Sequence, residues 1–232
     1  MKRFIETFQN IWKIEELKQR ILTTLGLVLI YRLGSYVVLP GINTEALAEA
    51  NANSANDGGI VALINAFAGG AFSRASIFGL GIMPYITASI IIQLLGMAVP
   101  YFQKMQKEGE SGRKKINQYT RFLTVAVTAV QAPGYLAAQV YTKPGVVGID
   151  PTWFGIQATL ILVAGTMFIM WLGERITDKG IGNGISILIM IGIISRLPFA
   201  ITSEFGSRLQ SAGGGLIMFL LEIVFLLFII VS

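Results

Sequence analysis

The side chains that most enzymes use for chemistry are scarce in this sequence. The chain has no Cys and no His, which excludes disulfides and thiolate chemistry and removes the commonest general base and metal ligand. The GxSxG, HExxH and P-loop motifs do not occur in it. The sequence therefore predicts a protein that is not an enzyme and that needs no metal or cofactor.

A partly polar stripe is the clearest side-chain pattern within the apolar stretches. Ile82, Ile86, Ser89 and Gln93 are spaced i, i+4, i+7 and i+11, so they share one face of a helix. An amide in lipid is unfavourable unless it meets a partner or water, which makes Gln93 a candidate functional residue. The competing explanation, slightly favoured by spacing alone, is that Ser89 and Gln93 bond to a neighbouring helix.

Further candidates lie in other apolar stretches. Ile185 and Ile189 are spaced i and i+4, but this spacing alone indicates only packing or lipid contact. Arg32 and Glu222 are ionisable groups inside apolar runs. Because charge is unfavourable there, we expect each of them to have a polar partner or a path to water.

Two sequence features concern the backbone. Pro133, close to Gln131, falls midway in an apolar run and frees a carbonyl that a hinge or a polar contact could use. The sequence GIGNG at residues 180–184 permits unusual backbone and close helix approach. No strand precedes these glycines, so a nucleotide site is disfavoured.

The elements that position these residues include a broken apolar stretch. The sequence GGIVALINAFAGG, at residues 58–70, is about a dozen residues long and is bounded by paired glycines. That length is too short to cross a bilayer and favours a re-entrant half-helix over residues 58–75. The alternative is an amphipathic turn lying on the membrane surface. A full-length apolar helix containing Pro84 is expected to follow at once.

The composition is that of a polytopic α-helical membrane protein. Of the 232 residues, 53% are hydrophobic and 13% charged, and the mean hydropathy is +0.66; soluble domains carry about 25% charged residues. We expect the sixth apolar run to be truncated, because it reaches Ser232. Six spans are predicted at residues 21–39, 76–100, 122–141, 154–173, 180–202 and 216–232.

The distribution of charge predicts the orientation. Thirteen of the 18 Lys and Arg residues fall on the side of the N-terminus, many of them in a basic loop over residues 101–121, and four fall on the opposite side. The N-terminus is therefore predicted to be cytoplasmic. The net charge of +5 is explained as this topology signal, with anionic lipid and not DNA as the partner. The arm at residues 1–20 is either an amphipathic surface helix or a solvated segment.

Four sequence segments resemble the SecY family, the channel subunits of the bacterial Sec translocon. The resemblance covers essentially the whole chain but only the first half of the family, which has ten spans in two pseudo-symmetric halves. The matching segments are YRLGSYVVLPGI (31–42), NAFAGGAFSRASIFGLGIMPYITASIIIQLL (65–95), KEGESGRKKINQYTR (107–121) and GTMFIMWLGERITDKGIGNGISI (165–187).

The resemblance implies an hourglass pore with an apolar ring at its waist. By motif position, Ile82, Ile86, Ile185 and Ile189 fall on ring positions, and two further members would lie in the other half. Thr87, Gln93 and Gln131 would be polar contacts of a lateral gate. Ten residues would form the plug that closes the pore from outside: Asn65, Ala66, Phe67, Ala68, Gly69, Gly70, Ala71, Phe72, Ser73 and Arg74.

The resemblance also implies the activity and the partners. The protein would pass unfolded secretory polypeptides across the bacterial inner membrane and release membrane segments into it. Its partners would be the SecE and SecG subunits, the SecA motor ATPase, the ribosome, signal sequences and nascent polypeptide. Two other classes are open on the residues alone: a secondary transporter with its substrate at a broken helix, and a non-conducting assembly scaffold.

Overall fold

The computed structural model describes residues 13–53, 60–210 and 215–231. Within these ranges the regular structure is helical. A five-residue π-helix, Ala137–Tyr141, continues α6. The helices are α1 (Glu15–Gly34), α2 (Thr44–Asn53), α3 (Ile60–Phe67), α4 (Met83–Ala98), α5 (Pro100–Lys107), α6 (Glu110–Leu136), α7 (Pro151–Lys179), α8 (Gly184–Ile194), α9 (Leu197–Gln210) and α10 (Gly215–Val231).

Several of these helices match the predicted spans in position. Among the described residues, three helical stretches are long and apolar enough to cross a bilayer, namely Glu110–Tyr141, Pro151–Lys179 and Gly184–Ser203. The bent pair of α4 and α5 is a fourth if it counts as one span. The first and sixth predicted spans overlap α1 and α10, of 20 and 17 residues, and membrane crossing by these two helices stays a prediction.

The second predicted span contains less helix than expected. Residues 76–82 lie in turns, and α4 begins only at Met83. Pro84 therefore lies in the first turn of the helix, and the expectation that it stands inside the helix is wrong. Proline is favoured in the first turn because its missing N–H has no partner there in any helix.

The basic segment at residues 101–121, expected to be a loop, is largely helical. It forms α5 and the first turns of α6, which are separated at Gly109 by a positive φ of 69°. α5 leaves the axis of α4 at 99°, after Val99 adopts the extended conformation that a following proline imposes. The Lys and Arg side chains of this segment are thus presented by helices.

Side-chain caps fix where the later helices begin. Asp150 Oδ1 accepts hydrogen bonds from the N–H groups of Thr152 and Trp153 at 2.9 and 3.2 Å, and α7 starts at the next residue. Asn183 Oδ1 accepts in the same way from Ile185 and Ser186, at 3.1 and 3.3 Å. Each cap satisfies N–H groups that a helix end leaves without intrahelical partners. Asn183 therefore sets the start of α8.

The long helices α6 and α7 form the centre of the fold. α6 packs between α4 and α7, and α7 also contacts α1 and α8. On α6 the buried positions repeat every four residues, at Thr120, Thr124, Thr128 and Ala132. Small residues at this spacing let helices approach closely. The buried hydroxyls of Thr124 and Thr128 donate to carbonyls one turn earlier, at 2.7 and 2.6 Å.

Candidate functional site

The four isoleucines predicted for the ring come together in one apolar cluster. Ile82 is buried within it, and Ile86, Ile185 and Ile189 pack against it half-buried. The other buried members are Tyr31, Phe78, Ile169, Leu172, Ile176 and Leu188. Residues that are more than 100 positions apart in the sequence thus meet on one side of the central helices.

Glycine allows α8 to bring its two isoleucines into this cluster. A methyl group added at Gly184 would lie 2.0 Å from the carbonyl oxygen of Gly173 on α7. No larger residue fits at that distance, so the first turn of α8 is pressed against the α7 backbone. Ile185 follows directly, and its Cγ1 lies 3.1 Å from the position that a Cβ of Gly173 would take.

The predicted plug, residues 65–74, is named the plug segment here. It begins as the last turn of α3 and continues as a series of turns. Gly69 and Gly70 have positive φ angles of 60° and 86°, a region that side-chain-bearing residues rarely adopt. The side-chain oxygen of Asn65 accepts a hydrogen bond from the Ser73 N–H at 3.2 Å. The backbone carbonyl of Asn65 accepts another from the Gly70 N–H at 2.9 Å. Asn65 thereby closes the segment on itself.

The plug segment touches α8 through backbone alone at one point. A methyl group added at Gly192 would lie 2.6 Å from the carbonyl oxygen of Phe67, and one added at Gly69 would lie 3.2 Å from the Cα of Gly192. This contact is possible because both positions are glycine. α8 therefore carries Ile185 and Ile189 of the apolar cluster and also supports the plug segment.

A buried tyrosine holds the other side of the plug segment. Tyr135 on α6 donates its hydroxyl to the carbonyl oxygen of Phe72 at 2.8 Å, and the two rings meet edge to face with centroids 4.8 Å apart. Phe72 and its neighbours Ala71 and Ala75 are buried. Sequence reasoning missed this anchor, because a tyrosine inside an apolar run gives no sign of its partner.

Short backbone pairings frame the plug segment on the predicted outer side. The N–H of Leu39 donates to the carbonyl of Ala75 at 2.9 Å, next to an isolated bridge between Val38 and Ser76. A second bridge joins Ile42 to Val147. We call residues 37–43, 75–77 and 146–148 the outer rim. The rim ties together three connections that are far apart in the sequence.

Three arginines converge beside the plug segment. Arg32 and Arg74 both donate to the carbonyl oxygen of Gly69, at 3.2 and 3.0 Å. Arg196 lies so close that a methyl group on Gly70 would be 2.6 Å from its Nη2. Sequence analysis expects a polar partner only for Arg32, which also donates to the Tyr36 hydroxyl at 2.9 Å. For the other two arginines, the sequence offered one signal of a polar contact, which is that Arg196 directly follows an apolar run.

The residues predicted to line a lateral gate are polar groups near the surface of the described structure. Thr87 is half-buried and donates to the carbonyl of Met83 at 3.1 Å, and Gln93 is exposed and donates to the Ser89 hydroxyl at 3.3 Å. Both bonds stay within α4. Gln131 is exposed on α6. Thr87 and Gln93 are thus satisfied locally, and their role as gate contacts stays a prediction.

The arrangement offers hydrophobic surface and backbone geometry in place of reactive groups. Among the described residues, no group of three or more acidic, His or Cys side chains could hold a metal ion. The charged groups that contact Gly69 and Gly70 are arginines, and a guanidinium group does not act as a general base. Physically, the site suits displacement of a small segment from an apolar surface.

Comparisons with known proteins identify the family. The SecY family matches residues 76–232. The protein translocase subunit SecY of Vibrio cholerae is 48% identical over 202 residues, covering 87% of this chain and 44% of that protein. The Escherichia coli K12 subunit is 50% identical over 189 residues, covering 80% and 42%, and that of Thermotoga maritima is 45% identical over 198 residues, covering 83% and 46%.

Solved structures show the same fold. A protein-conducting channel and the Sec61 channel of a canine ribosome–channel complex each match with a TM-score of 0.59 at 19% identity, over 84% of this chain and 42% of theirs. The predicted fold class, an all-α polytopic membrane protein with the N-terminal half of the SecY-type channel, is confirmed. The chain spans less than half the length of these three curated relatives. On this evidence, the chain belongs to the SecY family.

Proposed function

We propose that this chain forms one half of the central subunit of a protein-conducting channel in the bacterial inner membrane. The channel passes unfolded secretory polypeptides across the membrane and releases membrane segments into it. The observation that carries this proposal is that α8 bears Ile185 and Ile189 of the apolar cluster, which also holds Ile82 and Ile86, and that the same helix contacts the plug segment at Gly192.

The apolar cluster suits a seal that does not select for sequence. Isoleucine side chains offer no hydrogen bonds, so a ring of them excludes ions by dewetting while placing no demand on the side chains that pass. Ile86, Ile185 and Ile189 are half-buried, which leaves part of each side chain free to face a passing polypeptide. The second half of a relative's length would supply the remaining wall.

The plug segment suits a movable stopper. It is held by the hydroxyl of Tyr135, a backbone contact at Gly192 and a hydrogen bond from Arg32 to Gly69, and it buries mainly alanines and one phenylalanine. Short segments with few large buried side chains open at low free-energy cost. Displacing the plug segment would leave the long helices α6 and α7 intact.

Signal sequences would open the channel by binding its open state. Thr87, Gln93 and Gln131 are the gate contacts in this proposal, and Thr87 and Gln93 now bond within α4. A polar cluster that favours the closed state modestly can be overcome by a ligand that prefers the open one. SecE, SecG, SecA, the ribosome and anionic lipids complete the proposed assembly, with the N-terminus cytoplasmic.

Crosslinking from the ring positions tests the proposal. Because the chain has no Cys, Ile86→Cys and Ile185→Cys each give the chain a single thiol. We expect both to crosslink to a secretory precursor stalled midway through the full-length, assembled channel. Leu160→Cys is the control, since Leu160 is exposed on α7 outside the apolar cluster and should give no crosslink.

The result would decide between the proposed function and its rivals. Crosslinks at both isoleucine positions and none at Leu160 would identify the apolar cluster as the polypeptide path. A precursor shown to be stalled that reaches neither position would overturn the pore assignment and favour a transporter or a scaffold.

A further inference from the structure

The three arginines beside the plug segment line a small cavity. It has a volume of about 270 Å³. Arg32 and Arg74 face it from α1 and the plug segment, and Arg196 faces it from the residue between α8 and α9. Its side-chain lining is Arg32, Tyr36, Arg74, Ser195, Arg196 and Phe199. The cavity is therefore strongly cationic, and its lining includes two aromatic rings, those of Tyr36 and Phe199.

No carboxylate of a described residue neutralises these charges. The ion pairs in the described part of the chain are Arg20–Glu16, Lys115–Glu108 and Arg121–Glu174. Arg32 and Arg74 instead share a single carbonyl, that of Gly69, and both stack over the ring of Tyr36, at 4.9 and 4.3 Å from its centroid. The buried Nε of Arg74 has no acceptor among the described residues.

An apolar groove adjoins this cavity. It lies between α1 and α8 and has a volume of about 510 Å³. Arg32 and Ser195 line both, so the groove and the cavity adjoin each other. The apolar lining is Leu25, Val28, Leu29, Ile191 and Ile194. From Leu25 to Arg32 the groove follows two turns of helix, roughly 10 Å along the axis.

We propose that the cavity and groove together bind an anionic phospholipid. Its phosphate lies among Arg32, Arg74 and Arg196, and one acyl chain lies in the groove. Guanidinium groups bind phosphate oxygens through paired, charge-assisted hydrogen bonds, and the hydrocarbon covers the exposed Leu25, Leu29 and Ile194 side chains. A free phosphate ion would use the cavity alone, so the adjoining apolar groove favours the lipid.

The predicted orientation places this site in the outer half of the bilayer, away from the basic cytoplasmic helices. The lipid would contact Arg74 of the plug segment and two spanning helices at once. The inference does not rest on the proposed transport function, because it uses only the charge, the cavity and the groove.

Quenching by brominated lipids tests the site. The full chain, assembled with its partner subunits, carries Ile194→Cys as its single thiol, labelled with bimane and reconstituted in phosphatidylcholine. Brominated phosphatidylglycerol is compared with brominated phosphatidylcholine. Since a cationic residue near the surface adds about 1 kcal/mol of attraction to anionic lipid, we expect phosphatidylglycerol to bind at least about fivefold more tightly at this position.

Matched variants separate the site from general lipid contact. The preference should fall at least about fivefold in Arg74→Gln/Arg196→Gln, which leaves Arg32 alone in the cavity, and stay unchanged in Arg175→Gln, which removes a charge at the predicted cytoplasmic end. Bimane at Leu160→Cys, in another exposed apolar region, should show no preference. Because the readout is a lipid ratio, a variant that is folded by circular dichroism remains informative even if it transports nothing.

Three outcomes would overturn the proposal. Equal quenching by the two lipids at Ile194→Cys would mean an ordinary lipid-facing groove. Quenching by neither lipid would mean that protein covers the groove. A preference abolished by millimolar inorganic phosphate, with acyl quenching unchanged, would mean a site for free anions.

Discussion

The central helix pair and the plug segment are built in opposite ways. α6 and α7, of 27 and 29 residues, meet along buried stripes of small and aliphatic side chains, and Arg121 and Glu174 pair across them. The plug segment is ten residues long, one helical turn followed by turns with two left-handed glycines. We call α6 and α7 the frame. The frame is rigidly packed, whereas the plug segment makes its contacts mainly through backbone, and this difference allows the plug segment to move against the frame.

The contact of α7 with the outer rim, just past the plug segment, should be the most sensitive point. A methyl group added at Gly165 on α7 would lie 2.1 Å from the carbonyl oxygen of Ile77. Because the clash is with backbone, no side-chain rotation relieves it. We expect Gly165→Ala to destabilise the protein by about 3 kcal/mol, measured as a lower unfolding temperature and a lower yield in detergent.

Gly134→Ala is the matched control for that change. Gly134 is on α6, and an added methyl group there would meet nothing within 4 Å. Its stability should be unchanged or slightly raised, since alanine favours helix over glycine. Equal stability of Gly165→Ala and Gly134→Ala would show that the contact between α7 and the outer rim is loose.

The next largest effect should be on closure of the plug rather than on folding. Gly192→Ala pushes against the carbonyl of Phe67 at 2.6 Å. A strain of about 1 kcal/mol in the closed arrangement raises the open fraction roughly fivefold. We expect a corresponding rise in ion flux through the assembled channel in planar bilayers, with an unchanged unfolding temperature.

Gly206→Ala serves as the control for Gly192→Ala, because an added methyl group there meets no atom within 4 Å. Its ion flux should equal that of the unchanged protein. If Gly192→Ala lowers the unfolding temperature as much as Gly165→Ala does, the plug segment belongs to the frame and the contrast between them fails.

The tyrosine anchor should give an intermediate effect. Tyr135→Phe removes the 2.8 Å bond to the Phe72 carbonyl and leaves a buried acceptor without its partner, which costs about 1–2 kcal/mol. Tyr141→Phe removes a similar bond to Pro151, of 2.9 Å, at an exposed position. The comparison of their unfolding free energies should show a clearly smaller loss for Tyr141→Phe.

The smallest effect is expected at the ion pair within the frame. Arg121 and Glu174 keep 49% and 25% of their side-chain surface exposed, and exposed pairs contribute about 0.2–1 kcal/mol. A double-mutant cycle with Arg121→Gln and Glu174→Gln should give a coupling in that range that weakens in high salt. A coupling several times larger would mean that the frame depends on charge more than on packing.

The frame could be predicted from sequence far better than the plug segment. Long apolar runs with few charges report spanning helices directly, so α6 and α7 were expected close to where they lie. The turns at residues 68–82 were not expected, because the sequence of residues 76–82 is apolar and predicts a helix. Gly79, Gly81 and the bridge between Ser76 and Val38 favour another conformation.

The candidate site could also be predicted only in part. The four isoleucines were found by resemblance to a family, since their spacing alone indicates only packing. The meeting of Arg32, Arg74 and Arg196 could not be predicted, because three like charges in separate elements carry no signal of proximity. Such contacts depend on how elements pack, and packing is set by many side chains at once.

The outer rim has a consequence for biogenesis. Its pairings join residues 37–43 to residues 75–77 and 146–148, so a nascent chain emerging from its N-terminus cannot complete the rim until residue 148 has been made. Tyr135, which anchors Phe72, also arrives late. While the first two hydrophobic segments are being synthesised, the plug segment therefore lacks its anchors, and it can reach the arrangement described here only after Tyr135 of α6 has been made.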